Sequence, residues 1–205
     1  MDITFLLRGF LIGLSIAAPV GPIGVLCIRR TIAEGRAVGL ASGLGAATAD
    51  FIYGAIGGFG LTFISDILVG QQSWLRLIGG IFLCYLGVKT FLSKPAEQPA
   101  ATKGSGLIGT YSSTFFLTLT NPTTILSFVV IFGALGIGTS GSNYGSALIL
   151  VLGVFLGSAT WWVLLTGGVG LIRARVTPTA LGWINRVAGV IIVGFGAVAL
   201  LSLLR

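Results

Sequence analysis

The sequence predicts an all-α integral membrane protein with six transmembrane helices. They are arranged as two inverted three-helix repeats, with spans one and four broken at proline. Three observations predict this fold. Only 12 Lys or Arg and 5 Asp or Glu occur in 205 residues, against 55% hydrophobic residues and a mean hydropathy of +1.04. Six apolar stretches are each long enough to cross a bilayer, which takes about 20 helical residues. The two halves of the chain match each other around one short polar linker.

At 8% charged residues the chain lies far below the roughly 25% of a soluble domain. A soluble fold could not cover its surface with so few charges, which excludes a soluble enzyme, a disordered tail and a disulfide scaffold. With no His, His-based triads and His-ligated zinc are impossible. The net charge of +7 sits on residues scattered at the ends of apolar runs. It therefore reads as topology control and headgroup contact, with the bilayer rather than nucleic acid as partner. Cys27 and Cys84 each lie inside an apolar run and read as packing residues. No disulfide, metal site or cofactor is supported. The N-terminal apolar run continues past Ala18 to Ile28, longer than a signal-peptide core, and reads as a retained span.

The spans are 3–28, 37–64, 74–93, 107–137, 144–172 and 180–204. Span one is interrupted by Ala18-Pro19-Val20-Gly21-Pro22. Span two carries the small-residue stripe Gly35, Gly39, Gly43 and a lone acid, Asp50. Span three opens on Trp74, an expected interface anchor. Residues 94–106, with Pro95, Glu97, Pro99 and Lys103, form the linker. Span four is interrupted at Asn121-Pro122. Span five carries Gly153 and Gly157, a second packing stripe, and the mid-span pair Trp161 and Trp162, which could face lipid, core or cavity. Span six opens on Trp183. The division is thus 1–93 for the first repeat, 94–106 for the linker and 107–205 for the second repeat. The glycine stripes would serve packing within one chain or between two copies in a homodimer.

Basic residues are distributed unevenly. Arg29, Arg30, Arg36, Lys89, Lys94, Lys103, Arg173, Arg175 and Arg186 fall on one side, and Arg8, Arg76 and Arg205 on the other. The positive-inside rule places the first group and the linker in the cytoplasm and both termini outside. Arg29 and Arg30 read as topology residues, with a cytoplasmic gate as the alternative.

Spans three and six match at an offset of 109, pairing Trp74 with Trp183, Gly80 with Gly189 and Gly87 with Gly196. Spans two and five match at 110, pairing Ala49 with Ala159 and Gly57 with Gly167. Spans one and four match at 103 through Pro19 and Pro122. With three spans per repeat, the second half must cross in the opposite sense. Inverted repeats with broken helices are a signature of secondary transporters.

Proline removes a backbone donor and clashes with the preceding turn. In lipid, groups freed this way must be satisfied by protein, water or ligand. The first break, with Pro19, Gly21, Pro22 and Gly24, is therefore expected to face the interior, Gly21 letting the chain turn. The half-helix from Pro22 would point free N–H groups at a cavity, where a carboxylate could bind. The second break, Asn121, Pro122 and Thr123, adds hydroxyls and an amide at similar depth. Asp50 lies near the middle of span two, with about 20 Å of helix on either side, too deep for its short side chain to reach water. An acid there marks a functional site by default, and burial favours its protonated form, which suits a proton carrier. The alternative is a structural hydrogen bond to Tyr53, one turn on, or to Asn121. Its repeat mate is Thr160, so the symmetry breaks where the charge lies.

Taken together these residues resemble a known family. Ala18-Pro19-Val20-Gly21-Pro22 followed by Arg29-Arg30 and Gly35-Arg36, and the Gly-rich run from Gly39 ending in Asp50, resemble the LysE/RhtB family of amino-acid exporters. Asn121-Pro122 and the stretch from Trp183 to Gly196 are similar to later parts of that family, so the likeness covers about residues 5–204. Family members often carry a basic residue after the Asn-Pro, where this chain has Thr123 and Thr124. The resemblance implies efflux of amino acids from the bacterial cytoplasm across the inner membrane, driven by the proton gradient. Asp50 would alternate between the substrate ammonium and a proton, and the breaks near Gly21–Gly24, with Asn121 and Thr123, would hold the carboxylate. Tyr53 and Pro122 complete the expected site. Few acids are available for a basic substrate, which leans toward neutral ones.

A second reading is a divalent metal-ion exporter of a related superfamily. Such sites want several carboxylates or thiolates, and the chain offers one central acid and two scattered cysteines. A membrane-embedded enzyme would need a nucleophile and base pair that is not evident. A scaffold without transport gives no reason for two helix breaks and a buried acid.

Overall fold

The computed structural model describes residues 3–19, 21–59, 71–93, 106–134 and 144–204. The described residues form helices α1 (Ile3–Ala17), α2 (Pro22–Glu34), α3 (Arg36–Gly58), α4 (Gln72–Phe91), α5 (Leu107–Leu119), α6 (Pro122–Ala134), α7 (Tyr144–Ile172) and α8 (Pro178–Leu201), with short 3₁₀ turns after α7 and α8. The linker residues 94–105, and the expected ends of spans two and four, lie outside the described residues.

Both breaks lie where proline falls. α1 and α2 meet at 80°, and α5 and α6 at 59°. Each following half-helix starts on proline, a position whose missing N–H costs nothing. Segments within α4, α7 and α8 are long and apolar enough to cross a membrane, and the two bent pairs pass the same test as pairs. The helix of span two, α3, is not among them. Its 23 residues are long enough, but Gly, Ala, Ser and Thr dominate. It packs against both α5 and α7, so its sides meet protein and need no long lipid-facing chains. Large apolar residues face outward instead from α4 and α8, including Ile78, Ile81, Val190 and Val198.

Four helix pairs set the frame: α1 on α7, α4 on α8, and α3 on both α5 and α7. Glycine makes the first two contacts close. A Cβ at Gly9 or Gly13 would strike the Leu150 or Val154 carbonyl, and one at Gly153 or Gly157 the backbone of Leu6 or Phe10. On α4 and α8, Gly80 lies against the Gly196 carbonyl and Gly87 against that of Gly189.

The expected Gly35, Gly39, Gly43 stripe divides in the structure. Gly35 caps α2 with φ +109°, a conformation that favours glycine, so it serves the turn and not a packing face. Gly39 and Gly43 do pack, against Thr31 and the Trp162 side chain. Cys27 is fully buried and Cys84 partly so, and both are free thiols. Trp74 and Trp183 are exposed near helix starts, as interface anchors would be.

Candidate functional site: a cavity between the helix breaks

The two breaks lie on one cavity of about 270 Å³. Its wall carries Pro19, Gly21, Pro22 and Gly24 from the first break, Asn121 and Thr123 from the second, and Asp50 from α3. Trp162 of α7 and Thr118, Thr124 and Ser127 also line it. A neighbouring cavity of about 210 Å³ shares Pro22, Asn121, Thr123 and Phe195 with the first and extends to Arg76. Pro122 lines that second cavity and not the first.

Asp50 is 3% exposed. Its Oδ2 accepts a 2.7 Å hydrogen bond from the Ser158 hydroxyl of α7. Ser158 follows Gly157 in the small-residue stripe, so its short side chain can sit close to α3. Neither partner anticipated from the sequence holds the acid. Tyr53 lies one turn on, but its ring packs beside Phe128 at 5.6 Å and its hydroxyl donates to the Leu119 carbonyl at the end of α5. Tyr53 is thus a brace for the second break, set back from the cavity wall. Its hydroxyl is engaged at the end of α5 and not by Asp50.

The breaks differ in capping. At the second, Asn121 Oδ1 accepts the Thr123 N–H at 3.1 Å, so the first turn of α6 is partly satisfied by its own cap. At the first, Gly21 precedes Pro22 with no side-chain cap, leaving the opening N–H groups of α2 to other acceptors. Gly21 itself has φ −102° and ψ −166°, extended backbone that any residue adopts. Its expected role in turning the chain is therefore not what the site requires. A Cβ there would meet nothing within 4 Å, so its small size keeps cavity space open beside the α2 terminus.

Opposite, the Trp162 ring is 4% exposed and packs over Gly43. Its Nε1 is buried with no hydrogen-bond partner among the described residues. Sequence reasoning left this residue open because a Trp in an apolar run carries no sign of direction. No group of three or more His, Cys, Asp or Glu side chains that could hold a metal occurs among the described residues.

A family model for the LysE type translocator matches residues 14–203. The chain belongs to the LysE type translocator family. Among its relatives is the "Putative amino acid efflux protein YcgF" of Bacillus subtilis (strain 168), 30% identical over 189 residues, 90% of each chain. The "Putative amino-acid transporter YggA" of Aeromonas salmonicida is 28% identical over 203 residues, 92% of this chain and 91% of its own. The "Uncharacterized membrane protein YahN" of Escherichia coli (strain K12) is 27% identical over 170 residues, 80% of this chain and 73% of its own. No solved structure matches. In this LysE type chain both breaks, Asp50 and most of the lining fall inside the matched region.

Proposed function

We propose that the chain exports amino acids, or close derivatives, from the bacterial cytoplasm across the inner membrane in exchange for protons. The observation that carries this reading is a buried acid, Asp50, on one cavity with the uncapped start of α2. A zwitterion needs an acceptor for its ammonium group and donors for its carboxylate. Ionised Asp50 supplies the first, and the α2 N–H groups with the Asn121 amide supply the second. On the outward side a proton replaces the ammonium on Asp50. One carboxylate therefore cannot hold both at once, and competition couples the two flows. The efflux and transporter names of YcgF and YggA support amino acids as the cargo.

Alternating access requires two halves that can exchange roles, and the repeat supplies them. The helix contacts support it: α1 lies on α7 as α5 lies on α3. The offset of 109 also carries the Gly80–Gly196 contact onto Gly189–Gly87. The basic-residue bias orients the C-terminal end of α2 toward the cytoplasm and both termini outside.

Thermal shift of the purified protein against the twenty amino acids, one at a time, tests the cargo, since a ligand bound only by the folded state raises Tm. Stabilisation by at least one amino acid, followed by its efflux from proteoliposomes under an imposed pH gradient, is the expected result. No shift and no efflux with any of them would contradict it.

A further inference from the structure

Arg29 and Arg30 lie in the C-terminal half of α2, whose other end lines the cavity, and the Arg29 side chain is only 14% exposed. Arg30 is 8% exposed. Its guanidinium donates to the Ser42 hydroxyl of α3 at 2.9 Å. On α5 it donates to the Thr114 hydroxyl at 2.8 Å, the Ser113 hydroxyl at 3.0 Å and the Thr110 carbonyl at 3.3 Å. Every one of these acceptors is neutral. Arg29 Nε reaches Asn185 Oδ1 on α8 at 3.1 Å, its Nη2 reaches Ser93 after α4 at 3.1 Å, and its Nη1 pairs with Glu34 at 3.1 Å. Arg173, after α7, donates to the Ile32 carbonyl at 2.9 Å. Three guanidinium groups thus bond to or from the C-terminal half of α2, and Glu34, paired with Arg29, is the one carboxylate bonded to any of them among the described residues.

A buried cation with no carboxylate bonded to it is costly, and an Arg fork is shaped to take a carboxylate through two parallel bonds. The hydroxyls around Arg30 are weaker partners that such an anion would displace. They also tie α2 to α3 and α5, so their loss would loosen α2 on the side away from the cavity. α2 is a rigid rod of about 20 Å, and its N-terminus borders Asp50's cavity. Movement at one end would therefore be felt at the other.

We propose that Arg30 is a second recognition site, taking the substrate carboxylate on the cytoplasmic side, and that its bonds to Ser42, Ser113, Thr114 and Thr110 hold that side shut until the carboxylate replaces them. The site rests on the export reading above and adds to it a point of entry distinct from the cavity.

Cys27, one turn before Arg30, provides the test. It is fully buried, with Sγ 3.3 Å from the Gly39 carbonyl of α3, so it reacts only when α2 parts from α3. In a Cys84→Ser background it is the sole thiol. Inside-out vesicles are labelled with N-ethylmaleimide, with and without a mixture of neutral amino acids lacking cysteine, and with the corresponding amino-acid amides. Free amino acids are expected to speed Cys27 labelling about fivefold or more, and the amides, which lack the carboxylate, are not. Arg30→Gln is expected to label fast from the outset and to ignore amino acids. Equal effects of acids and amides, or an Arg30→Gln protein as protected and as responsive as its parent, would overturn the site. If Arg30→Gln does not fold, Arg30→Lys keeps the charge without the fork and should need about tenfold more amino acid for half its effect. An unchanged requirement would overturn the site as well. Proton-driven efflux measured in parallel separates the two claims. Efflux without any amino-acid effect on labelling removes Arg30 alone, whereas faster labelling without efflux removes the antiport reading and leaves the site.

Discussion

Ser158 on α7 donates its hydroxyl proton to Asp50 Oδ2 on α3 across 2.7 Å, and both side chains are buried. The bond joins two helices that belong to different halves of the chain. It fixes the one acid on the cavity wall and spans the surface at which those halves meet.

Ser158→Ala leaves Oδ2 without that donor, at a cost of about 1–3 kcal/mol for a buried group. The expected result is a lower Tm in detergent, with efflux reduced. Asp50→Ala combined with Ser158→Ala should cost less than the two single changes added together, since each removes the same bond. Strict additivity in a double-mutant cycle would show that the pair is not coupled.

The glycines divide into two classes with opposite expectations. Gly13→Val puts a side chain into the Val154 carbonyl on α7, and forced overpacking of this kind costs about 1–3 kcal/mol. Gly168→Ala meets nothing within 4 Å and should raise stability by about 0.5–1 kcal/mol through helix propensity. Thermal melts of both proteins check the contrast.

Gly21→Leu should fold with an unchanged Tm, since the backbone is extended and the space beside it open. The added side chain would fill much of a 270 Å³ cavity, so substrate-dependent thermal shift and efflux should both fall sharply. A loss of fold instead would mean that Gly21 is needed for the turn after all.

Tyr53→Phe removes the hydroxyl that holds the Leu119 carbonyl, a net loss of about 1 kcal/mol. The melt should move down while the number of protons exchanged per substrate stays the same, because Tyr53 does not line the cavity. A changed proton ratio would return Tyr53 to the coupling site.

Local signals in the sequence made part of this legible. Proline cannot sit in a helix past its first turn without breaking or kinking it, so both breaks could be placed by residue. An acid in an apolar run is conspicuous by its cost, so Asp50 stood out. What could not be read depends on direction and distance across the fold. Ser158 resembles any small residue in a packing stripe until α3 is laid against it. Tyr53 shares a face with Asp50 by spacing, yet the length of its ring takes the hydroxyl to α5. Arg29 and Arg30 sit where topology alone explains a charge. Only the packed helices show them turned inward onto Asn185, Ser42 and Thr114.

The central claim is that Asp50 carries the proton exchanged for substrate. Proteoliposomes containing the parent or Asp50→Asn protein, loaded with a stabilising amino acid and a pH-sensitive dye, measure both flows together. The parent should move protons in the direction opposite to the amino acid, and Asp50→Asn should lose efflux driven by the pH gradient. Full pH-gradient-driven efflux with matching proton movement in Asp50→Asn would contradict the account.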